Sequence, residues 1–135
     1  MNSFGRVFRV SLFGESHGKG IGVVIDGVPP GIAFSEADML HDLERRKSGL
    51  PGTTTRKEPD KPILLSGVYN GKTTGTPLTI VIENSNYNSS DYTNITDQPR
   101  PSHNDLSSKI KFKGWNDPRG GGHLSGRLTA VLVCA

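Results

Sequence analysis

Near its start the chain mixes apolar and polar positions with a short period. From Arg6 to Phe13, Val7, Phe8, Val10 and Leu12 are spaced as on a half-buried strand. GESHG at 14–18 interrupts this segment as a tight loop, and GIGVVID at 20–26 predicts a second strand. Val28-Pro29-Pro30-Gly31 stops it as a turn.

From Ser35 to Lys47 the period lengthens to that of a helix. Ser35 stands where a cap is needed, and Glu36 and Asp38 lie in the first turn, where the helix dipole favours acids. Leu40 and Leu43 line one face with Met39. Arg45, Arg46 and Lys47 close the last turn before Gly49. Gly49 to Lys61 is polar, with three successive threonines, and predicts a mobile loop.

Pro62 to Tyr69 and Thr76 to Glu83 predict strands joined through Asn70-Gly71, a strong hairpin pair. Asn84 to Gln98, rich in Asn, Ser, Asp and Thr, predicts an irregular crossing segment, and Asn104 to Phe112 a short helix. A glycine loop from Arg119 to Gly126 precedes the apolar run Leu128 to Ala135, which fits helix or strand. An apolar run with neither cap nor polar tail after it predicts that residues 1–135 are an incomplete single domain, part of a longer chain. The elements together predict the α/β class.

Composition agrees with a loop-rich globular chain, or with a part of one that finds apolar surface elsewhere. Only 33% of residues are apolar, beside 17 glycines and 9 prolines. A single cysteine, Cys134, excludes an internal disulfide and offers no paired thiolates, which suits a reducing, cytoplasmic setting. The first residues contain no apolar signal core, and no stretch approaches the ~18 apolar residues of a membrane span. Net charge is a modest +3, with no run of like charge to bind nucleic acid. The arginines cluster instead beside glycine, proline and histidine, an arrangement suited to a small anionic ligand.

Four segments carry candidate chemistry. In Gly14-Glu15-Ser16-His17-Gly18, flanking glycines leave His17 unshielded at a strand end, placed to exchange a proton near neutral pH. In isolation the same residues fit a structural histidine. Ser16 and His17 are adjacent and lack a nucleophile elbow, which argues against a serine nucleophile. In Arg100-Pro101-Ser102-His103-Asn104-Asp105, Pro99 and Pro101 stiffen the backbone around a cation and an imidazole, or else form a plain turn. Arg119-Gly120-Gly121-Gly122-His123-Leu124-Ser125-Gly126-Arg127 bares backbone N–H groups to an oxyanion, or serves as a linker; it is not a phosphate-binding P-loop. Arg45-Arg46-Lys47 complements the helix dipole, whatever else it does. No metal is expected: His17, His41, His103, His123 and Cys134 lack ligand spacing.

In combination and order, these pieces resemble the chorismate synthase family. The matching segments are FGESHG (13–18), DGVPPGI (26–32), LERRKSG (43–49), TTGTPL (73–78), IEN (82–84), RPSHND (100–105) and DPRGGGHLSGRLTA (117–130). The resemblance implies the N-terminal part of a β-α-β sandwich fold, assembled as a homotetramer. It implies a carbon–oxygen lyase of the shikimate pathway to aromatic amino acids. That enzyme makes chorismate by anti-1,4-elimination of phosphate from 5-enolpyruvylshikimate-3-phosphate.

The family requires reduced FMN (FMNH2), though the reaction has no net redox change; NADP and a separate flavin reductase are associated with its supply. Carried across residue by residue, the resemblance makes His17 the proton donor to departing phosphate and His103 the manager of the flavin's proton. It makes Arg46, Arg100 and Arg127 substrate-binding, and His123, Leu124 and Ser125 flavin-contacting. This chain departs from the common family pattern at Ser102, where many members carry glycine. It departs again at His123-Leu124-Ser125-Gly126, where many read Arg-Ser-Ser-Ala, and at Pro51-Gly52, where a basic residue is expected. The later half of family members, with more flavin contacts and an essential aspartate, is not in these residues, so they alone are expected to be inactive. The competing readings are a non-catalytic flavin- or anion-binding module and a small RNA-binding protein. The latter wants stacking aromatics beside its basic clusters, which are scarce here.

Overall fold

A computed structural model describes residues 2–47, 59–85 and 98–135. Its centre is a five-stranded, wholly antiparallel sheet. The strands are β1 (Ser3–Phe4), β2 (Arg9–Gly14), β3 (Gly20–Asp26), β4 (Pro62–Ser66) and β7 (Leu78–Glu83), in the order β1-β2-β3-β7-β4. β3 lies in the middle and earns its position by composition: Ile21, Val23 and Ile25 share one face and are almost wholly buried. Register places Ile21 opposite Ile82, Val23 opposite Ile80 and Ile25 opposite Leu78, so the strand pairs align their apolar faces.

That face is covered by two helices, α1 (Glu36–Arg46) and α3 (Thr129–Cys134), which also pack on each other. α1 contributes Met39 and Leu43, and α3 contributes Ala130, Val131 and Cys134, in each case across one helical turn. The α1 start is fixed by the Asp38 carboxylate, which accepts from the Ser35 backbone N–H (2.8 Å) and from its hydroxyl (3.0 Å). Leu40, expected on the core face, is half exposed. The apolar run at 128–135 is helical, because only residues one turn apart need to reach the sheet.

Two strand expectations are corrected. The first strand begins at Arg9, since residues 5–8 are consumed in the turn that folds β1 back onto β2 with Phe4 opposite Val10. Val7 is accordingly exposed. Asn70-Gly71 does form a hairpin, with both residues at positive φ (49° and 71°) as a two-residue turn demands. It joins β5 (Val68–Tyr69) to β6 (Lys72–Thr73) in a small separate sheet. β4 and β7 pair around this excursion. The predicted short helix is α2 (Asp105–Lys111). Most of the expected mobile loop and of the crossing segment lie outside the described residues.

Candidate active site

The candidate side chains sit in the β2–β3 turn, at the end of α1, in the segment before α2 and in the glycine segment that follows α2. His17 occupies the turn between β2 and β3, where Gly18 N–H returns to the Glu15 carbonyl (3.1 Å). The ring is not displayed to solvent: Ser16 is 2% and His17 5% exposed. What covers them is the run Gly120-Gly121-Gly122, with φ of 56°, 90° and 56°. Three successive left-handed residues are open only to glycine. The Ser16 N–H donates to the Gly122 carbonyl (3.1 Å), tying bend to turn. A Cβ on Gly120 would stand 2.5 Å from His17 Cε1, so the close approach itself requires glycine.

The next glycine faces the second imidazole. A Cβ on Gly121 would lie 3.5 Å from His103 Cε1 and 3.4 Å from Asn104 Oδ1. His17 and His103, 86 positions apart in sequence, thus border consecutive residues of one backbone bend.

His103 is held by a carboxylate that sequence reasoning left without a role. Asp105, at the first position of α2, lies 2.6 Å from His103 Nδ1 and accepts from Arg100 Nε (2.8 Å), Nη2 (2.9 Å) and backbone N (3.0 Å). Arg100 Nη2 is also 3.2 Å from His103 Nδ1. A guanidinium only donates and a carboxylate only accepts, so the shorter contact assigns the Nδ1 proton to the Asp105 bond. Side-chain hydrogen bonds from Arg100 hold the Asp105 carboxyl well below the usual carboxylate range, outweighing the upward push of burial. Ser102, the departure in this motif, has φ of +60°, the conformation for which glycine is the natural choice.

Arg46 and Arg127 meet elsewhere, on Asp60. Arg46 Nη1 donates to Asp60 Oδ2 (2.5 Å) and Arg127 Nη1 to Oδ1, while Arg46 Nε reaches Thr129 Oγ1 (3.0 Å). Asp60 is 3% exposed and Arg127 7%. Arg127 Nε donates to Asn84 Oδ1 (3.2 Å), and its Nη2 is buried without a hydrogen bond among the described residues. Asp60 was expected in a mobile loop; it is instead the buried centre of a charge cluster. The signal that could have marked it is the bracketing of one acid by Pro59 and Pro62. Cys134 borders this cluster. Burial, then the nearby Asp60 charge, pushes its thiol up to about 11.

The expected flavin-contacting residues divide. His123 and Leu124 line an open cleft of about 400 Å³ with Leu12, Phe13, Phe112 and Trp115, whereas Ser125 does not line it. His123 Nδ1 donates to the Gly14 carbonyl (2.8 Å), and Ser125 Oγ accepts from Arg127 N (3.1 Å). Asp117, also in the cleft wall, is paired to Arg119 (2.8 Å). Burial raises its carboxyl, but the Arg119 hydrogen bonds and, more weakly, His17 bring it below its ordinary value. Among the described residues no group of three His, Cys, Asp or Glu could hold a metal ion, and no helix is long and apolar enough to cross a membrane.

The fold is mixed α/β, and its candidate site sets two imidazoles beside one glycine bend, with three arginines held in carboxylate clusters. Comparison with known proteins makes this particular. The family model described as chorismate synthase matches residues 8–135. The chain is 57% identical over 135 residues to a chorismate synthase of Chitinophaga pinensis, covering all of this chain and 41% of that protein. It is 57% identical over 132 residues to one of Pyrococcus abyssi, covering 97% of this chain and 37% of that protein. A crystal structure of chorismate synthase superimposes with a TM-score of 0.64 at 32% identity, over 95% of this chain and 32% of the other. The chain belongs to the chorismate synthase family, and it spans about two fifths of the length of the curated relatives it matches.

Proposed function

We propose that these residues are the N-terminal segment of a lyase that forms chorismate from 5-enolpyruvylshikimate-3-phosphate by anti-1,4-elimination of phosphate. The observation that carries this reading is that His17 and His103 border consecutive glycines of one bend. In this reading His17 gives a proton to the departing phosphate, and the glycine cover keeps bulk water from competing for it. Arg127 offers its remaining buried Nη2 to a substrate anion, with Arg46 and Arg100 supplying further positive charge. His103, fixed through Nδ1, has Nε2 left to take up and return the flavin's proton.

The open cleft fits a flavin by its lining. Phe13, Phe112 and Trp115 offer aromatic surface to a flat ring, and His123 and Asn2 offer polar edges. Reduced FMN, when bound, supplies electron density that is regained by the end of the turnover. Flavin reduction by the enzyme with NADP or by a separate reductase, a homotetrameric assembly and a cytoplasmic setting complete the reading.

The test is anaerobic incubation of the full-length enzyme with reduced FMN and 5-enolpyruvylshikimate-3-phosphate. Chorismate and phosphate appear in equal amounts, and His17→Ala and His103→Ala each lose about 100-fold or more in rate while remaining folded. Full activity in both variants removes the catalytic assignment.

A further inference from the structure

The side chain that joins the two halves of this site is Asn84, the residue after β7 and 7% exposed. Its amide Nδ2 donates to the Glu15 carbonyl and to the Gly18 carbonyl, both at 2.9 Å. Those two carbonyls bracket Ser16 and His17, so one NH2 group closes the turn that carries the imidazole. The Asn84 backbone N–H adds a third bond, to the Lys19 carbonyl (3.1 Å). Its Oδ1 faces the other way and accepts from Arg127 Nε (3.2 Å). The amide orientation is fixed by its neighbours, because two carbonyls can only accept and a guanidinium can only donate.

We infer that Asn84 is a positioning residue: it holds the His17 turn and the Arg127 guanidinium in one rigid relation, so that acid and anion clamp address the same substrate. The inference rests on the proton-donor role proposed for His17. Asparagine alone meets the demand at this reach. Aspartate has the same shape but no donors, leucine has neither donor nor acceptor, and glutamine is one methylene too long for a site packed at this density. The Asp60 carboxylate completes the frame from the far side of Arg127, leaving Nη2 as the one guanidinium nitrogen with no bond to a described residue.

The experiment uses the full-length enzyme. Asn84→Asp keeps the bond to Arg127 and deletes both donors to the His17 turn. Its kcat falls by about 100-fold, the effect of a small misplacement of a catalytic group. KM for the enolpyruvyl phosphate substrate stays within about threefold, because Arg127 retains its partner. In a His17→Ala background the same substitution costs less than about threefold, since the group it positions is already gone. A general structural defect would instead cost the same in both backgrounds. If Asn84→Asp does not fold, Asn84→Ser, smaller and still a donor, carries the same comparison with a smaller loss. Wild-type kcat in the variant, or equal losses with and without His17, overturns the inference. Full activity of His17→Ala alone overturns the proton-donor reading and is scored separately.

Discussion

The three candidate arginines fall into two carboxylate clusters among the described residues, and these are built on opposite plans. The Asp105 cluster is local: Arg100, His103 and Asp105 come from six consecutive residues at a helix start, and the Arg100 and His103 side chains remain about one third exposed. The Asp60 cluster is assembled from distant segments, with Arg46 from α1, Asp60 from the approach to β4 and Arg127 from the turn before α3. Its carboxylate is almost wholly buried. A local cluster orients a group; a buried long-range one also fastens the elements that carry it. Arginines placed on the second plan are held rigid before any ligand arrives.

The comparison is broken most directly at Asp60. Asp60→Ala leaves two guanidinium groups without their shared anion, and urea unfolding is expected to lose about 3–5 kcal/mol, the scale for stripping one partner from a buried pair. A loss under about 1 kcal/mol would make the two clusters equivalent. Next comes the bend that adjoins His17 and the Asp105 cluster. Gly120→Ala combines a left-handed φ of 56° with a Cβ placed on His17, so it costs about 1–2 kcal/mol in the same measurement and lowers turnover as well.

Asp105→Asn is milder, about 1 kcal/mol, because solvent reaches its partners. Its pH dependence identifies it. The folded carboxyl is depressed, so its stabilisation is present above the unfolded value of about 4 and is lost as pH falls below that. The gap between wild type and Asp105→Asn, read from thermal melts, is therefore at its full value above about pH 5 and narrows on acidification below about pH 4. The smallest effect belongs to the surface pair Arg9–Asp26 (2.7 Å), where Arg9→Ala changes stability by less than about 0.5 kcal/mol.

The same contrast separates what the sequence revealed from what it concealed. β3 and α1 were legible because their burial is periodic: Ile21, Val23 and Ile25 alternate, and Met39 and Leu43 lie one turn apart. The motifs around His17 and His103 were legible as motifs, and the local cluster lies inside one of them. Asp60 and Asn84 were hidden because nothing nearby in sequence fixes their partners. Asp60 sits in a polar stretch that reads as a loop, and its partners lie 14 and 67 positions away. Asn84 heads a segment rich in similar residues, and only the β3–β7 register brings it to the His17 turn. The bend at 120–122 was visible as a glycine run, but its handedness and the imidazoles beside it follow from the tertiary fold.

The central claim is that His17 and His103 act together on one ligand because a single bend brings them together. A double-mutant cycle on kcat/KM in the full-length enzyme, with His17→Ala, His103→Ala and the pair, measures this. The account predicts that the double variant falls to within about tenfold of the weaker single variant, as for residues acting as a unit. A double variant whose loss equals the product of the two single losses would mean that the histidines act independently, and the shared-site account would fail.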